Sequence, residues 1–447
     1  MQRRSVLGSM AAGAVMRSSS QSQAFTSTVN MPAPIYGPRI NLTQADKVMT
    51  QLGVDALVLG NGTNVYYSTG LDLTSTKMGH TPRVYAIVTR RRDQRISIVA
   101  PAFLFYYTIS LDIRHSSIPA YLYKSLDQDY EDMELALSQL ALYPDLGKAP
   151  QDVIERERLQ AVEKVISLNG ARSSLNTSLQ NVMADTGIRQ GRIAVDSEVV
   201  QKSIMTAAPD AEIINADDAL RRIRPIKSSV EIQLMRYAAQ ANAVGALSAA
   251  NAVRAGANVR ELRAAYFSNV AKRGMRGVFM VIDRVSSPTY DAELYEGQCF
   301  SIDCVSEYMG YHGDFARAVH IGEPTKHMKN VTDLTGMSWD ILRDTIKPGL
   351  RFSQIRAMGK DILKKLGADF NISFTPHSVG LYHSDHVGSN GSGDREDIVL
   401  EPNMVISIDC PMGATGMGGS SHLEDLMLIT ESGAQPINDT GSQIVMV

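Results

Sequence analysis

The sequence predicts a mixed α/β (α+β) chain made of two successive units, on three observations. Short apolar runs of strand length alternate with helical patterns through the first half. An Ala-rich helical composition begins at the S-x-x-E capping box Ser228-Ser-Val-Glu231. The last third carries strand-like segments in which carboxylates occupy positions that the pattern otherwise gives to burial. The 447 residues suit two large units or three of roughly 150 residues. With 44% hydrophobic and 20% charged residues, large cores can form, which excludes a disordered chain, a collagen-like chain or a coiled coil. Lys+Arg total 44 against 47 Asp+Glu, so no bulk positive field exists to hold nucleic acid. No apolar run reaches the ~18 residues that cross a bilayer. The three cysteines, Cys299, Cys304 and Cys410, are too few for a disulfide framework and form no CxxC pair.

The elements follow in order. Residues 1–24 read as an export signal: Arg3-Arg4 precede a modest apolar stretch, Val6 to Met16, and Ser22-Gln23-Ala24 offers a cleavage point. The paired arginine points to a twin-arginine route and an exported, periplasmic protein, with Arg17 as a feature against it and a cytoplasmic protein as the alternative. Residues 25–219 form the first unit. Thr43 is expected to cap a helix running to Leu52, before a buried strand at Asp55–Gly60. Val84–Thr89 and Arg95–Ala100 read as a hairpin whose charged turn, Arg90 to Gln94, lies in solvent. Residues 125–180 look helical and polar, and short strands are expected at Arg192–Asp196 and Glu212–Ile214. The second unit spans 220–447. It opens with a helix from the Ser228 capping box to about Val253. A second helix runs from Asn258 to near Gly274, and a third from Ser353 to near Gly367.

Between and after these helices lie the residues that carry chemistry. In Phe300-Ser-Ile-Asp303-Cys304, period two puts Asp303 opposite the apolar Phe300, Ile302 and Cys304. Asp314 follows eleven residues later, beyond the hairpin-like Tyr308–Gly313. Asp409 ends the apolar run Met404-Val-Ile-Ser-Ile, and Glu424 precedes Asp425-Leu-Met-Leu-Ile429. His377 lies in Pro376-His-Ser-Val-Gly-Leu381. Buried carboxylates are costly and repel one another unless something neutralises them. Divalent ions answer both problems, and two of them ~3.5–4 Å apart make a hydrolytic centre. One aspartate on a strand is unremarkable, whereas this ordered set is unusual.

These stretches resemble the creatinase/prolidase/aminopeptidase P superfamily, the M24 class of pita-bread proteins. The resemblance rests on Ile302-Asp303, Gly310-Tyr-His-Gly-Asp314-Phe-Ala-Arg317, Lys347-Pro-Gly349, His377–Leu381, Leu400–Asp409, Leu423-Glu-Asp425 and Ile429–Gly433. Arg224-Pro-Ile-Lys227 with Glu231 matches the entry to the family's catalytic domain. Val65-Tyr-Tyr-Ser-Thr-Gly70 is similar to its N-terminal creatinase-like α/β domain. The resemblance implies a pita-bread catalytic domain with metal ligands Asp303, Asp314, His377, Asp409 and Glu424. It implies two divalent metal ions (Mn, Fe, Co or Zn), bridged by Asp314 and Glu424, and a water between them that attacks a carbonyl. It also implies a homodimer and a small-molecule or short-peptide substrate.

The chain departs from that pattern in three places. The fourth ligand is usually Glu and here is Asp409, shorter by about 1.5 Å. The peptidases' histidine about seventeen residues before the first aspartate is missing from Val285–Tyr290. Their second histidine would fall at Ser384, where His383 and His386 flank it. His383 and His422 are the candidate catalytic residues, His383 as a proton shuttle or a group binding the substrate's carboxylate, and His422 as a substrate-facing or supporting group. His386 shares the first reading with less weight. His312 and His320 read as structural, Cys304 and Cys410 as core, and Trp339 as packing. The expected function is a dinuclear-metal hydrolase, an Xaa-Pro aminopeptidase or dipeptidase. The alternatives are a metal-dependent lyase similar to the dimethylsulfoniopropionate lyases of the same superfamily, and a metal-free, creatinase-like member.

Overall fold

The computed structural model describes residues 29–447 except 82, 92, 114–115, 126–132, 141, 143–146, 386–396, 439 and 441–443. The export signal expected at residues 1–24 and the candidate His386 therefore lie outside the described residues. Seven strands of the first half form one sheet. They are β1 (Ala56–Leu59), β2 (Tyr85–Thr89), β3 (Ile96–Pro101), β4 (Ala120–Ser125), β5 (Ala171–Ser174), β6 (Arg192–Val195) and β7 (Glu212–Asn215), in the order β5-β4-β3-β2-β1-β6-β7. The β1–β2 and β2–β3 pairs are antiparallel and the other pairs parallel. Strands β1 to β3 are buried at every position, as expected when helices cover both faces of a sheet.

Two expectations for this half need correction. The first helix, Leu42–Gln51, is capped by Asn41, whose side chain accepts from the Gln44 amide, and not by Thr43. Asn and Asp cap better than Thr. The stretch 125–180 is not one polar helical region. Its helices Val153–Asn169 and Leu175–Thr186 are separated by β5, whose four residues Ala-Arg-Ser-Ser carry no apolar alternation to announce a strand. The charged hairpin turn behaves as expected: Arg91 pairs with Asp93, and Arg90 reaches Asp55.

In the second half the capping box at Ser228 opens the helix Ser229–Ala252, and Asn258 with Glu261 opens Val259–Ala271. These helices cover a sheet of β8 (Arg276–Ile282), β9 (Cys299–Tyr308), β10 (Tyr311–His320) and the C-terminal β16 (Ile444–Met446). A second sheet holds β11 (Thr375–Ser378), β12 (Val405–Gly413), β13 (Ser420–Leu423), β14 (Leu426–Thr430) and β15 (Gly433–Pro436). It packs on the helices Lys326–Thr345 and Phe352–Lys365. Trp339 is fully buried in that core, as its helical neighbours implied.

The hairpin β9–β10 sets the site. Its two-residue turn is Met309-Gly310, with φ of +48° and +79°. Positive φ at both central residues is the turn whose twist matches that of antiparallel strands, and Gly310 adopts it without strain. The turn fixes a register in which Asp303 faces Ala316 and Asp314 faces Val305. Both aspartates therefore project from one face, and a slip of one residue would turn one set away from the other. The turn is also held from outside: the Tyr66 hydroxyl, on the helix Gly62–Thr69, donates to the Met309 carbonyl at 2.7 Å.

Candidate metal centre

Strand pairing carries the same face across both sheets. Ala316, opposite Asp303, exchanges backbone hydrogen bonds of 3.2 Å with Glu424 on its other side. His377 on β11 faces Ser407, two residues from Asp409 on β12, so His377, Ser407 and Asp409 point the same way. His422 on β13 faces Pro411 and shares its side with Glu424. The five expected ligands and both candidate catalytic histidines thus converge on one pocket.

The distances divide the pocket into two groups. Asp314, His377, His383 and Glu424 can each offer one ligand atom within 4.8 Å of the others, and so can Asp303, His422 and Glu424. Glu424 belongs to both. His377 Nε2 lies 3.2 Å from Glu424 Oε1, 3.6 Å from Asp314 Oδ2 and 3.7 Å from Asp409 Oδ2. Asp409 reaches the other group through Oδ1, 3.6 Å from His422 Nε2. It therefore stands between the two groups despite its short side chain.

Electrostatics shows what the pocket lacks. Burial drives the Glu424 carboxyl well above the usual range, and Asp314, Asp409 and Asp303 push it further. Burial also raises Asp303, to about 6, against the attraction of His422. Asp409 is held low: burial opposes ionisation, but the nearby imidazoles of His377 and His422, 3.7 Å and 3.6 Å away, prevail. Asp314 is low for the same kind of reason, with His383 as its main partner. Burial lowers and Asp314 raises His383, to a net value of about 9.

Four acids in one buried place thus coexist by holding protons or by leaning on imidazoles. Both oxygens of Asp314 and Oδ1 of Asp303 are buried without a hydrogen-bond partner. His383 Nε2 approaches Asp314 Oδ2 to 3.0 Å but lies off the line of a hydrogen bond. Buried oxygens without donors, in a mixed carboxylate and imidazole set, fit a pair of divalent cations.

Supporting residues complete the site. The His377 ring Nδ1 lies 3.2 Å from the His383 carbonyl, and a donor there would orient the ring. Ser407 Oγ donates to Glu424 Oε1 at 2.6 Å. Sequence reasoning missed Ser407, although it shares period-two parity with Asp409. It also missed Asp385, which is buried behind the His383 loop, 3.6 Å from Arg224 and 3.9 Å from Lys227. His312 is structural, its Nδ1 3.1 Å from the Gly380 carbonyl. Cys304 and Cys410 are fully buried. Among the described residues no helix is long and apolar enough to cross a membrane.

Residues 233–431 match the model of metallopeptidase family M24. "Probable dipeptidase PepE" of Mycobacterium tuberculosis is 28% identical over 242 residues, 52% of this chain and 63% of that protein, so the match spans less than two thirds of that relative. Creatinase of a Bacillus species is 24% identical over 304 residues, 62% of this chain and 73% of that protein. An Xaa-Pro dipeptidase structure from Bacillus anthracis superposes with a TM-score of 0.64 over 91% of this chain and 99% of that one, at 16% identity. The prolidase structure from Pyrococcus horikoshii gives a TM-score of 0.61 over 89% and 98%, at 18% identity, and so shares the fold. Residues 233–431 thus match the metallopeptidase family M24, and the chain shares with the prolidase and Xaa-Pro dipeptidase structures a pita-bread fold behind an N-terminal α/β unit.

Proposed function

We propose that the protein is a dinuclear metal-dependent peptidase that cleaves Xaa-Pro bonds in dipeptides or at peptide N-termini. The observation that carries this reading is the pair of ligand groups sharing Glu424, with Asp409 reaching both. The relatives named as dipeptidases support the substrate class. Asp303 would hold one ion and His377 the other, with Asp314 and Glu424 between them. When bound, two such ions polarise a carbonyl and make water nucleophilic near neutral pH.

The chain's own groups supply the rest. Asp409, lying between His377 and His422, is placed to accept a proton from the attacking water at a carboxylate oxygen. His383 is the outermost of the group, its side chain 37% exposed, and its imidazole is placed to give a proton to the leaving amine. The walls around Asp314 and Glu424 exclude bulk water, which strengthens every charge interaction inside. We further propose export of the mature chain, led by residues 1–24.

The deciding experiment incubates metal-reconstituted protein with Xaa-Pro dipeptides, Xaa-Ala dipeptides and dimethylsulfoniopropionate. Free proline, released only from Xaa-Pro and abolished by a chelator, is the expected result. Volatile sulfide without proline would replace the peptidase by the lyase, with His383 as base six residues beyond His377.

A further inference from the structure

We propose that His422 is itself a metal ligand, on the Asp303 side of the centre. The inference rests on the dinuclear reading above and concerns a residue that the ligand pattern of the superfamily does not include.

The geometry carries it. His422 Nε2 lies 3.6 Å from Asp409 Oδ1 and 3.9 Å from Glu424 Oε2, and Nδ1 lies 3.9 Å from Asp303 Oδ2. These separations exceed a hydrogen bond, whose N···O distance is about 2.7–3.2 Å. They are also shorter than the span of about 5 Å that a bridging water needs between two partners. Two ligands each about 2.0–2.2 Å from one ion stand roughly 3.0–3.5 Å apart, so the ring and the acids need only a small contraction to share a cation.

The ring is 12% exposed, and its Nε2 is buried with no hydrogen-bond partner. Asp303 Oδ1, in the same group, is likewise buried and without a donor. The strand of His422 is fixed in place: Ser420 Oγ donates to Asp283 Oδ1 at 2.5 Å and lies 3.0 Å from Ser301 Oγ, tying β13 to the turn after β8 and to β9. A ring so held, surrounded by three acids, is badly placed to receive an anionic substrate and well placed to share a cation. Imidazole on both sides of the centre shifts its preference from manganese toward zinc, iron or cobalt.

The test compares full-length wild type with His422→Gln. Cobalt is titrated into metal-free protein and the bound ions are counted by elemental analysis. Paramagnetic proton spectra of the loaded proteins report the coordinated imidazoles. The expected result is two ions in wild type. In the variant, one ion binds with unchanged affinity and the other about 100-fold more weakly. One set of shifted imidazole ring protons disappears as well. Both ions retained at wild-type affinity, with every shifted imidazole still present, would overturn the assignment while leaving the dinuclear centre standing. A wild type that takes up no cobalt would overturn both.

Should His422→Gln not fold, the His383→Gln variant decides. Two shifted imidazoles must remain there, those of His377 and His422. A single one refutes the ligand role.

Discussion

Lengthening one side chain by a single methylene tests whether the centre is built around Asp409. In Asp409→Glu the carboxylate advances by about 1.5 Å along its present direction. His377 Nε2 now stands 3.7 Å from Oδ2 and His422 Nε2 stands 3.6 Å from Oδ1. The same advance would leave roughly 2.1–2.2 Å to each ring, inside any non-bonded contact. Either the glutamate folds back or an imidazole is pushed off its position. Misplacement of a ligand's supporting geometry costs about 10- to 100-fold in metal affinity. Competition titration with a chromogenic chelator should therefore show at least one ion bound about 10-fold or more weakly in Asp409→Glu than in wild type. Tighter binding would refute the reasoning and mark the aspartate as a simple defect. Equal binding would show that the pocket has slack the distances do not suggest.

Other predictions concern groups around the centre. Asp314→Ala should abolish turnover and lower bound metal, checked by activity and elemental analysis; wild-type turnover would remove Asp314 from the shared position. Gly380→Ala would put a Cβ 2.6 Å from both Asp385 Oδ2 and Lys227 Nζ, forcing that pair apart and moving the loop that carries His383. Activity should fall about 100-fold with metal content intact, since a 1 Å misplacement costs that much. Glu231 is fully buried, and burial raises its carboxyl from 4.5 to about 7. A raised acid favours folding while protonated, so this contribution is complete below pH 4.5 and is lost as pH climbs through 7. Glu231→Gln should therefore gain stability relative to wild type between pH 5 and 8, by about 3 kcal/mol in total. Urea unfolding at several pH values checks this, and a difference independent of pH would contradict it.

The five-ligand set was legible through the resemblance that its ordered stretches carry; period two by itself set only Asp303 and Asp409 against apolar faces. The long helices were legible through the capping residues Ser228 and Asn258. The strands Ala120–Ser125 and Ala171–Ser174 were not, since tertiary partners and not their own composition make them strands. Asp385 gives no local signal: its meaning lies in Arg224 and Lys227, more than 150 positions away. His422 could be placed near Glu424 through the resemblance, since relatives often carry a basic residue two positions before that acid. Its position among three carboxylates depends on the register of β12 against β13, which no linear pattern contains.

The hydroxyl of Tyr66, resting on the Met309 carbonyl, has a consequence for inheritance. A residue of the first unit touches the very bend that brings Asp303 and Asp314 to the same side. Exchanging the leading half for that of a distant cousin would remove this finger from the hinge of the hairpin, although every acid and imidazole remained in the recipient. A hybrid that lacked this hydroxyl would inherit the ligands without the contact that steadies their hairpin.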